Sequence, residues 1–434
     1  MTTLAATQPR RNLTEPVSID DLGVDRGLLW DLTLKTLFYR GRMSRQDLSH
    51  EMKISGTAME EIVQALSHDN LINVLGTGGA AGPAGYIYAL TQKGMERAEG
   101  ALQRSGYVGP VPVPLDDYGA QVQAQTLEDV HITREEILRA LGPLVLSDQT
   151  VSRIGRAASS RRSTLVYGAS GNGKTTAVSA IGGVIGGTIR IPYAIEAVGQ
   201  IVHLYDPSKH EIVPDDPSSG TTLFQSRADR RWVRIRRPII WAGGELTKHS
   251  LELVYDESSR VYEAPLQLKA NGGTLIIDDF GRQQMPAVAL LNRWITALEG
   301  GVDHLTLHTG QTVEAPFDVL VLFSTNLPPE KLADDAFLRR IRYKVEIPNP
   351  TPEEYRGIFR RECRRLGIAF DEAVYAHLMQ RWYAEHNREL RGCHPRDIIE
   401  AIADAAAYER QGAVLTPESL DEACETYFLK PADA

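Results

Sequence analysis

Apolar positions change their spacing twice along the chain, and each change predicts a different kind of structure. Between Leu28 and Ala98 the order reads helix, helix, helix, strand, turn, strand, helix. Met59, Ile62, Val63 and Leu66 form one helical stripe, and Ser44 with Asp47 three residues on starts the helix before it. Leu71 to Leu75 and Tyr86 to Leu90 flank the glycine-rich Gly76 to Gly85, which reads as a hairpin tip. From about Leu141 to Pro348, short β-rich runs (Thr164 to Tyr167, Thr188 to Ile191, Thr274 to Ile277, Val319 to Ser324, Tyr343 to Ile347) alternate with helical segments. That alternation predicts a three-layer α/β unit with a largely parallel sheet. After Pro348 the strands stop. Thr351, Pro352 and Glu354 make a capped helix start, Tyr355, Ile358, Phe359 and Leu366 share a face, and Gly367 ends the helix; three more helical stretches follow.

Five segments result. Residues 1–24 lack periodicity and contain Pro9 and Pro16, which predicts a flexible tail; 25–105 form the small α+β unit. Residues 106–132 carry Pro110, Pro112 and Pro114 and read as an extended connector. Thr133, in a capping box with Glu136, opens the α/β core at 133–348, and 349–434 form a helical domain. No internal repeat is visible.

Composition narrows the class. With 434 residues, 42% apolar and 24% charged, the chain has the make-up of a globular protein, which excludes collagen, fibre and bulk disorder. The 47 basic and 56 acidic residues leave a net charge of -9, a poor balance for nonspecific nucleic-acid binding by the whole surface. Cys363, Cys393 and Cys424 lack C-x-x-C spacing, so neither a disulfide framework nor a zinc site is expected, and the thiols are expected to be reduced in a cytoplasmic protein. No apolar run has the length of a secretion signal or membrane span.

The strongest chemical signal is "LVYGASGNGKTTAV". Gly168, Ala169, Ser170, Gly171, Asn172, Gly173, Lys174 and Thr175 satisfy G-x-x-x-x-G-K-[ST] between a β-rich run and a helix, with Thr176 following. Its glycines turn backbone N–H groups toward phosphate oxygens, Lys174 supplies a positive charge to the β/γ-phosphates, and the Thr175 hydroxyl suits Mg²⁺. "GGTLIIDDFG" adds two acids at the end of an apolar strand. Asp278 is placed to hold the metal, and Asp279 stands where a glutamate commonly polarises the attacking water, its shorter reach implying slow hydrolysis or a repositioned water.

From Leu141 to Leu429 the sequence resembles the AAA+ ATPases. "VLVLFSTN" resembles their sensor-1 strand, ending in Asn326; "DDAFLRRI" resembles the arginine-finger segment, with Arg339 and Arg340 as candidates; "RGCHPRDIIE" resembles sensor 2, with Arg396 the best match and Arg391 a rival. "DHLTLHTGQTVEAPFD" reads as a β-hairpin around Gly310 and resembles the pre-sensor-1 insertion of the branch that includes MoxR-like proteins and enhancer-binding activators. In that branch such insertions line a pore. The resemblance implies a P-loop core with a helical lid, ATP and Mg²⁺ as ligands, and a homo-oligomeric ring, a hexamer. Asn326 would orient water or the γ-phosphate, Arg396 would touch that phosphate from the lid, and an arginine would act on a neighbour's ATP.

The stretch between Lys174 and Asp278 is too long for one strand-helix unit, so an insertion is expected in the region of Gln200 to Gln267. Within it, "SRADRRWVRIRRP" holds six arginines from Arg227 to Arg237 around Trp232. On a strand, Trp232, Arg234 and Arg236 would share one face. A solvated strand face, or arginines bound to neighbouring subunits' acids, is the favoured reading, and a phosphate-binding or acidic-partner surface with Trp232 free for stacking is the alternative.

"GYIYALTQKGMERA" within residues 25–105 resembles the wing and following helix of a winged-helix domain. Its third helix carries Glu60, Glu61 and Asp69 with no Lys or Arg, and Val24 to Gly100 holds eight basic against nine acidic residues, so a protein-interaction role is favoured over DNA binding. The combined expectation is a cytoplasmic ATP hydrolase that remodels a macromolecular partner bound directly or through the N-terminal unit. The alternatives are a DNA-associated ATPase of transcription, replication or transposition, and an ATP-dependent assembly switch with slow hydrolysis.

Overall fold

The computed structural model describes residues 13–77, 86–214, 228–332 and 338–428. Its centre is a five-stranded, all-parallel sheet of β1 (Thr164–Tyr167), β2 (Ile239–Ala242), β3 (Thr274–Ile277), β4 (Leu320–Thr325) and β5 (Tyr343–Glu346), in the spatial order β2-β3-β4-β1-β5. Parallel strands must be covered on both faces, and alternate strand residues divide accordingly. Leu165, Leu275, Ile277, Val321 and Phe323 pack with Leu290, Leu291 and Trp294 of helix Ala287–Gly300. Val166, Ile276, Leu320, Leu322 and Val345 pack with Ile154 and Ala157 of helix Asp148–Ser160 and with Ala177, Val178 and Ile181 of helix Lys174–Val184. Each Val, Leu, Ile or Phe side chain among them contributes roughly 1.5–3 kcal/mol by leaving water.

Two expectations about this sheet need correction. Thr188–Pro192 is a strand but lies outside the core, paired antiparallel with Trp232–Arg236. The core strand in its place is Ile239–Ala242, inside the region expected to be wholly inserted. Four residues between Pro238 and Gly243 carry too short a pattern to separate a core strand from an inserted one.

The insertion builds a second sheet, in the order Val254–Asp256, Val261–Glu263, Gln200–His203, Ala194–Ala197, Val113–Pro114. Its last strand comes from the stretch expected to be an extended connector, and helix Leu115–Ala124 follows directly. Val113, Tyr118 and Val122 are buried with Ile195, Val202 and Trp232 in this layer, whereas Tyr107 and Val111 pack in the N-terminal cluster and Leu127 in the core. The expected hairpin is present: Val302–Thr306 pairs with Thr312–Pro316. Its apolar face, Leu305, Leu307, Val313 and Ala315, is buried in the same cluster, and His308 stacks on Tyr255 at 4.2 Å.

The N-terminal unit follows the expected order: helices Arg26–Arg40, Arg45–Glu51 and Gly56–His68, strands Ile72–Thr77 and Tyr86–Leu90, and helix Gln92–Arg104. The strands form a three-stranded antiparallel sheet with Met43–Ser44, and Met59, Ile62, Val63 and Leu66 are fully buried. Most of the glycine-rich tip lies outside the described residues. Residues 13–24, expected to be part of a free tail, are instead packed down. Leu22 is fully buried, Glu61 on the third helix accepts from the Ile19 N–H at 3.2 Å, and Thr14 bridges to Ala228.

The arginine run accounts for that docking. Arg230 bonds Glu15 at 2.8 Å, the Ser49 hydroxyl at 3.2 Å and the Ile54 carbonyl, gripping the turn between the second and third helices. Buried Arg231 pairs with buried Asp229 and donates to the Leu22 carbonyl at 2.9 Å. Arg234, Arg236 and Arg237 bond Thr188, Glu211 and the Gly272 carbonyl. Trp232 is buried and cannot serve as a stacking platform; Arg227 lies outside the described residues.

The C-terminal helices are Pro352–Arg365, Glu372–His377 with its π-helical continuation Leu378–Ala384, His394–Tyr408 and Pro417–Tyr427. The capping boxes expected at Ser44, Thr133 and Thr351 all form. Among the described residues no helix is long and apolar enough to cross a membrane.

Candidate active site

Strand β1 delivers the chain into the glycine-rich loop at its C-terminal end. Gly168 has φ +145°, and a Cβ there would meet the Ile347 carbonyl oxygen at 2.2 Å. Gly171 has φ +83°, and a Cβ there would lie 2.3 Å from the Cys393 sulfur. Only glycine fits at either place. Gly173 then caps helix Lys174–Val184, whose first N–H groups point into the loop, the arrangement that binds anions.

Lys174 is nearly buried, and its ammonium donates to the Ala169 carbonyl at 2.9 Å. Burial lowers its pKa, against the pull of Asp279 and Asp278 in the opposite direction. The Thr175 hydroxyl lies 3.2 Å from Asp278 Oδ2, so loop and acid pair are in direct contact.

The acid pair sits where β3 ends. Gln283 braces the turn by donating to the Asp278 carbonyl at 2.8 Å and accepting from the Gly281 N–H at 2.8 Å. Asp279 adopts φ +50°, a left-handed conformation that aspartate tolerates better than most residues. Strand β4, between β1 and β3, ends at Asn326, whose carboxamide donates to Asp279 Oδ1 at 3.1 Å. The sheet order thus brings Asn326 onto the second acid while Thr175 meets the first.

These groups line a cavity of about 570 Å³ between the core and the C-terminal helices. Ser170 through Thr176, Asp278, Asp279, Asn326 and Arg396 all face it. Arg396 is held by Asp397 at 2.8 Å, and that carboxylate raises its pKa. Arg391 is not among the lining residues; it is tied to Glu389 at 2.6 Å and Asn349 at 3.3 Å. Arg339 and Arg340 also lie outside the cavity. Arg340 is ion-paired with Glu299 at 3.1 Å, and its carbonyl accepts from the Ser163 hydroxyl at 3.2 Å, whereas Arg339 is exposed. The segment Ala333 to Phe337 just before them lies outside the described residues.

Several lining residues escape sequence reasoning. Leu144, Val145, Pro350 and Ile358 supply an apolar surface suited to a flat ring, and Arg282, Arg361 and Cys393 add to the polar one. Arg361 carried a signal in the basic run "RRECRR", and Arg282 in its place just after the acid pair. Leu144 and Cys393 carried none.

The donor set fits a nucleoside triphosphate with a divalent cation: an N–H-lined loop, a buried lysine, and a hydroxyl and carboxylate 3.2 Å apart. A family model described as "Domain of unknown function (DUF8689)" matches residues 351–426, within the C-terminal helices. None of the curated proteins matches the chain. Among solved structures, the ATP complex of NtrX from Brucella abortus is similar at 15% identity and a TM-score of 0.40, covering 65% of this chain and 56% of that one. Its ADP complex gives 13% and 0.39, with 66% and 57% covered. A RuvB variant from Thermotoga maritima gives 14% and 0.36, with 69% and 72% covered. This chain therefore spans little more than half the length of NtrX.

Proposed function

We propose that this chain is an ATP hydrolase of the AAA+ type, working as a ring and using the nucleotide cycle to remodel a macromolecular partner. The observation that carries the reading is β4 standing between the phosphate-loop strand and the acid-pair strand, with Asn326 3.1 Å from Asp279.

In the proposed reaction the loop N–H groups and Lys174 hold the β- and γ-phosphates and neutralise charge there. Asp279 accepts a proton from a water that Asn326 helps to orient. The water oxygen bonds to the γ-phosphorus as the bond to the β,γ-bridging oxygen breaks, giving ADP and phosphate. Thr175 and Asp278 would hold Mg²⁺, which would supply further charge neutralisation. Arg396 approaches the γ-phosphate from the helical lid. Arg339 is the better candidate to act on a neighbour's ATP, because Arg340 is engaged by Glu299 while Arg339 is exposed and has no ion pair among the described residues.

The N-terminal unit is read as winged-helix-like and as an adaptor rather than a DNA reader. Arg230 occupies its helix-turn-helix turn, Glu60 is paired with Arg45, and Glu61 is engaged by the Ile19 N–H. The test is equilibrium binding and turnover of ATP by the full chain. Lys174→Ala should abolish binding, and Asp279→Asn should bind while hydrolysing at least about tenfold more slowly. Native affinity in the first or native turnover in the second refutes the site.

A further inference from the structure

One phosphate-loop side chain is tied to the C-terminal unit by hydrogen bonds. Asn172 is only 6% exposed, and its carboxamide is spent on the C-terminal helices. Its nitrogen donates to the Pro348 carbonyl at 3.2 Å and to Asn349 Oδ1 at 2.8 Å, where the chain leaves the core sheet. Its oxygen accepts from the Gly392 N–H at 3.0 Å, just before helix His394–Tyr408. The two contact points are themselves joined. Arg391 donates to Asn349 at 3.3 Å and to Glu389 at 2.6 Å, and Asn349 donates to Glu389 at 3.3 Å. One buried amide therefore closes a ring of polar contacts that joins the segment entering the helical lid at Asn349 to the loop at Glu389 to Gly392 within it.

The packing around it leaves little play. A Cβ on Gly392 would lie 3.2 Å from the Gly171 carbonyl oxygen and 3.4 Å from the Asn172 Cα, and the Cys393 sulfur crowds Gly171. A shift of the loop backbone at Asn172 must move Gly392 and Asn349 or break hydrogen bonds to buried groups, and either outcome changes the lid.

We infer that Asn172 is a positioning residue that transmits the conformation of the phosphate loop to the helical lid. The inference rests on the proposed ATPase reading: the phosphates set the loop, Asn172 sets the angle of the lid, and the lid brings Arg396 to the γ-phosphate. The backbone N–H groups that would hold phosphate survive truncation of this side chain; the link to the lid does not.

The test compares the full chain with Asn172→Ala, Asn172→Asp, Asn349→Ala and the double alanine variant. In ATPase assays Asn172→Ala should lower kcat by about tenfold or more while KM stays within about threefold. Asn172→Asp keeps the acceptor for Gly392 but loses both donors, so it should fall between Asn172→Ala and the native chain. The double variant should lose less than the sum of the two single losses, because Asn172 and Asn349 share one contact. Hydrogen exchange at the Gly392 amide should accelerate in Asn172→Ala while the interior of helix Pro417–Tyr427 stays protected.

A rise in KM with unchanged kcat, additive losses in the double variant, or unchanged exchange at Gly392 overturns the inference. If Asn172→Ala does not fold, Asn349→Ala decides alone, with the same split of kcat from KM required. Absence of ATP turnover in the unsubstituted chain counts against the ATPase reading only. Exchange at Gly392 with and without ATP then decides the coupling, with equal protection in both overturning it.

Discussion

Replacing Arg231 with alanine should release the N-terminal segment from the inserted layer. The Arg231 guanidinium is 4% exposed and grips Asp229, itself 5% exposed, through contacts of 2.8 to 3.1 Å, and it also donates to the Leu22 carbonyl at 2.9 Å. Removing one member of such a pair leaves the other charge buried without compensation, which costs about 3–5 kcal/mol. The orphaned Leu22 carbonyl adds about 1 kcal/mol more. Even the lower figure enlarges the locally opened population by roughly 150-fold. Hydrogen exchange of the full chain reads this directly, because the Leu22 and Gly23 amides bond to Ile19 and Asp20 in the short turn that Arg231 holds. The double variant Asp229→Leu/Arg231→Met should restore most of the protection, since an apolar pair of similar bulk carries no desolvation cost. Exchange within threefold of native in Arg231→Ala, or a double variant as open as the single, refutes the reasoning.

Acidification should loosen the C-terminal helices through His394. Burial pushes its imidazole pKa down to about 4, and its Nδ1 lies 2.8 Å from the Tyr383 hydroxyl. The unfolded segment takes up a proton near 6.5 and the folded one near 4, so stability is full above pH 6.5 and falls progressively as pH drops toward 4. Unfolding of the lid followed against pH should show that slope, and His394→Phe should flatten it; an unchanged slope rejects the assignment. Arg339→Ala should keep ATP binding while losing turnover, and mixing it with Lys174→Ala subunits should recover activity above either parent. Recovery with Arg340→Ala but not Arg339→Ala would transfer the role to Arg340.

What the sequence disclosed divides by the range of the interactions involved. Gly168 to Thr175, Asp278 and Asp279 were legible because strand ends and tight turns constrain neighbours a few residues apart, Asn326 only through its resemblance to a family motif, and the structure brings Ser170 to Thr175, both acids and Asn326 together as one site. The six helix and strand segments of the N-terminal unit were legible for the same reason. The docking was not. Pro114 marks a connector by its own preferences, yet it sits on a sheet edge, where a missing N–H is harmless, paired with Glu196. The run around Trp232 alternates as a half-solvated strand should, but Trp232 is covered as well as Val233 and Ile235, because partners distant in sequence pack on both faces. Leu144 and Cys393 join the cavity only through tertiary packing, which has no local period to betray it.

The grip of Arg230 on Glu15 spans 215 positions of the chain. A ribosome adding about 5–20 residues per second makes the arginine roughly 10–40 s after the glutamate. Over that interval the third helix and the Leu22 segment have no inserted layer to rest on, and the strand Val113–Pro114 likewise waits, for a shorter time, for its partner Ala194–Ala197. Folding of the first quarter of the chain is therefore completed from its middle. A slow step late in synthesis, sensitive to changes near residue 230, would be the kinetic trace of this architecture.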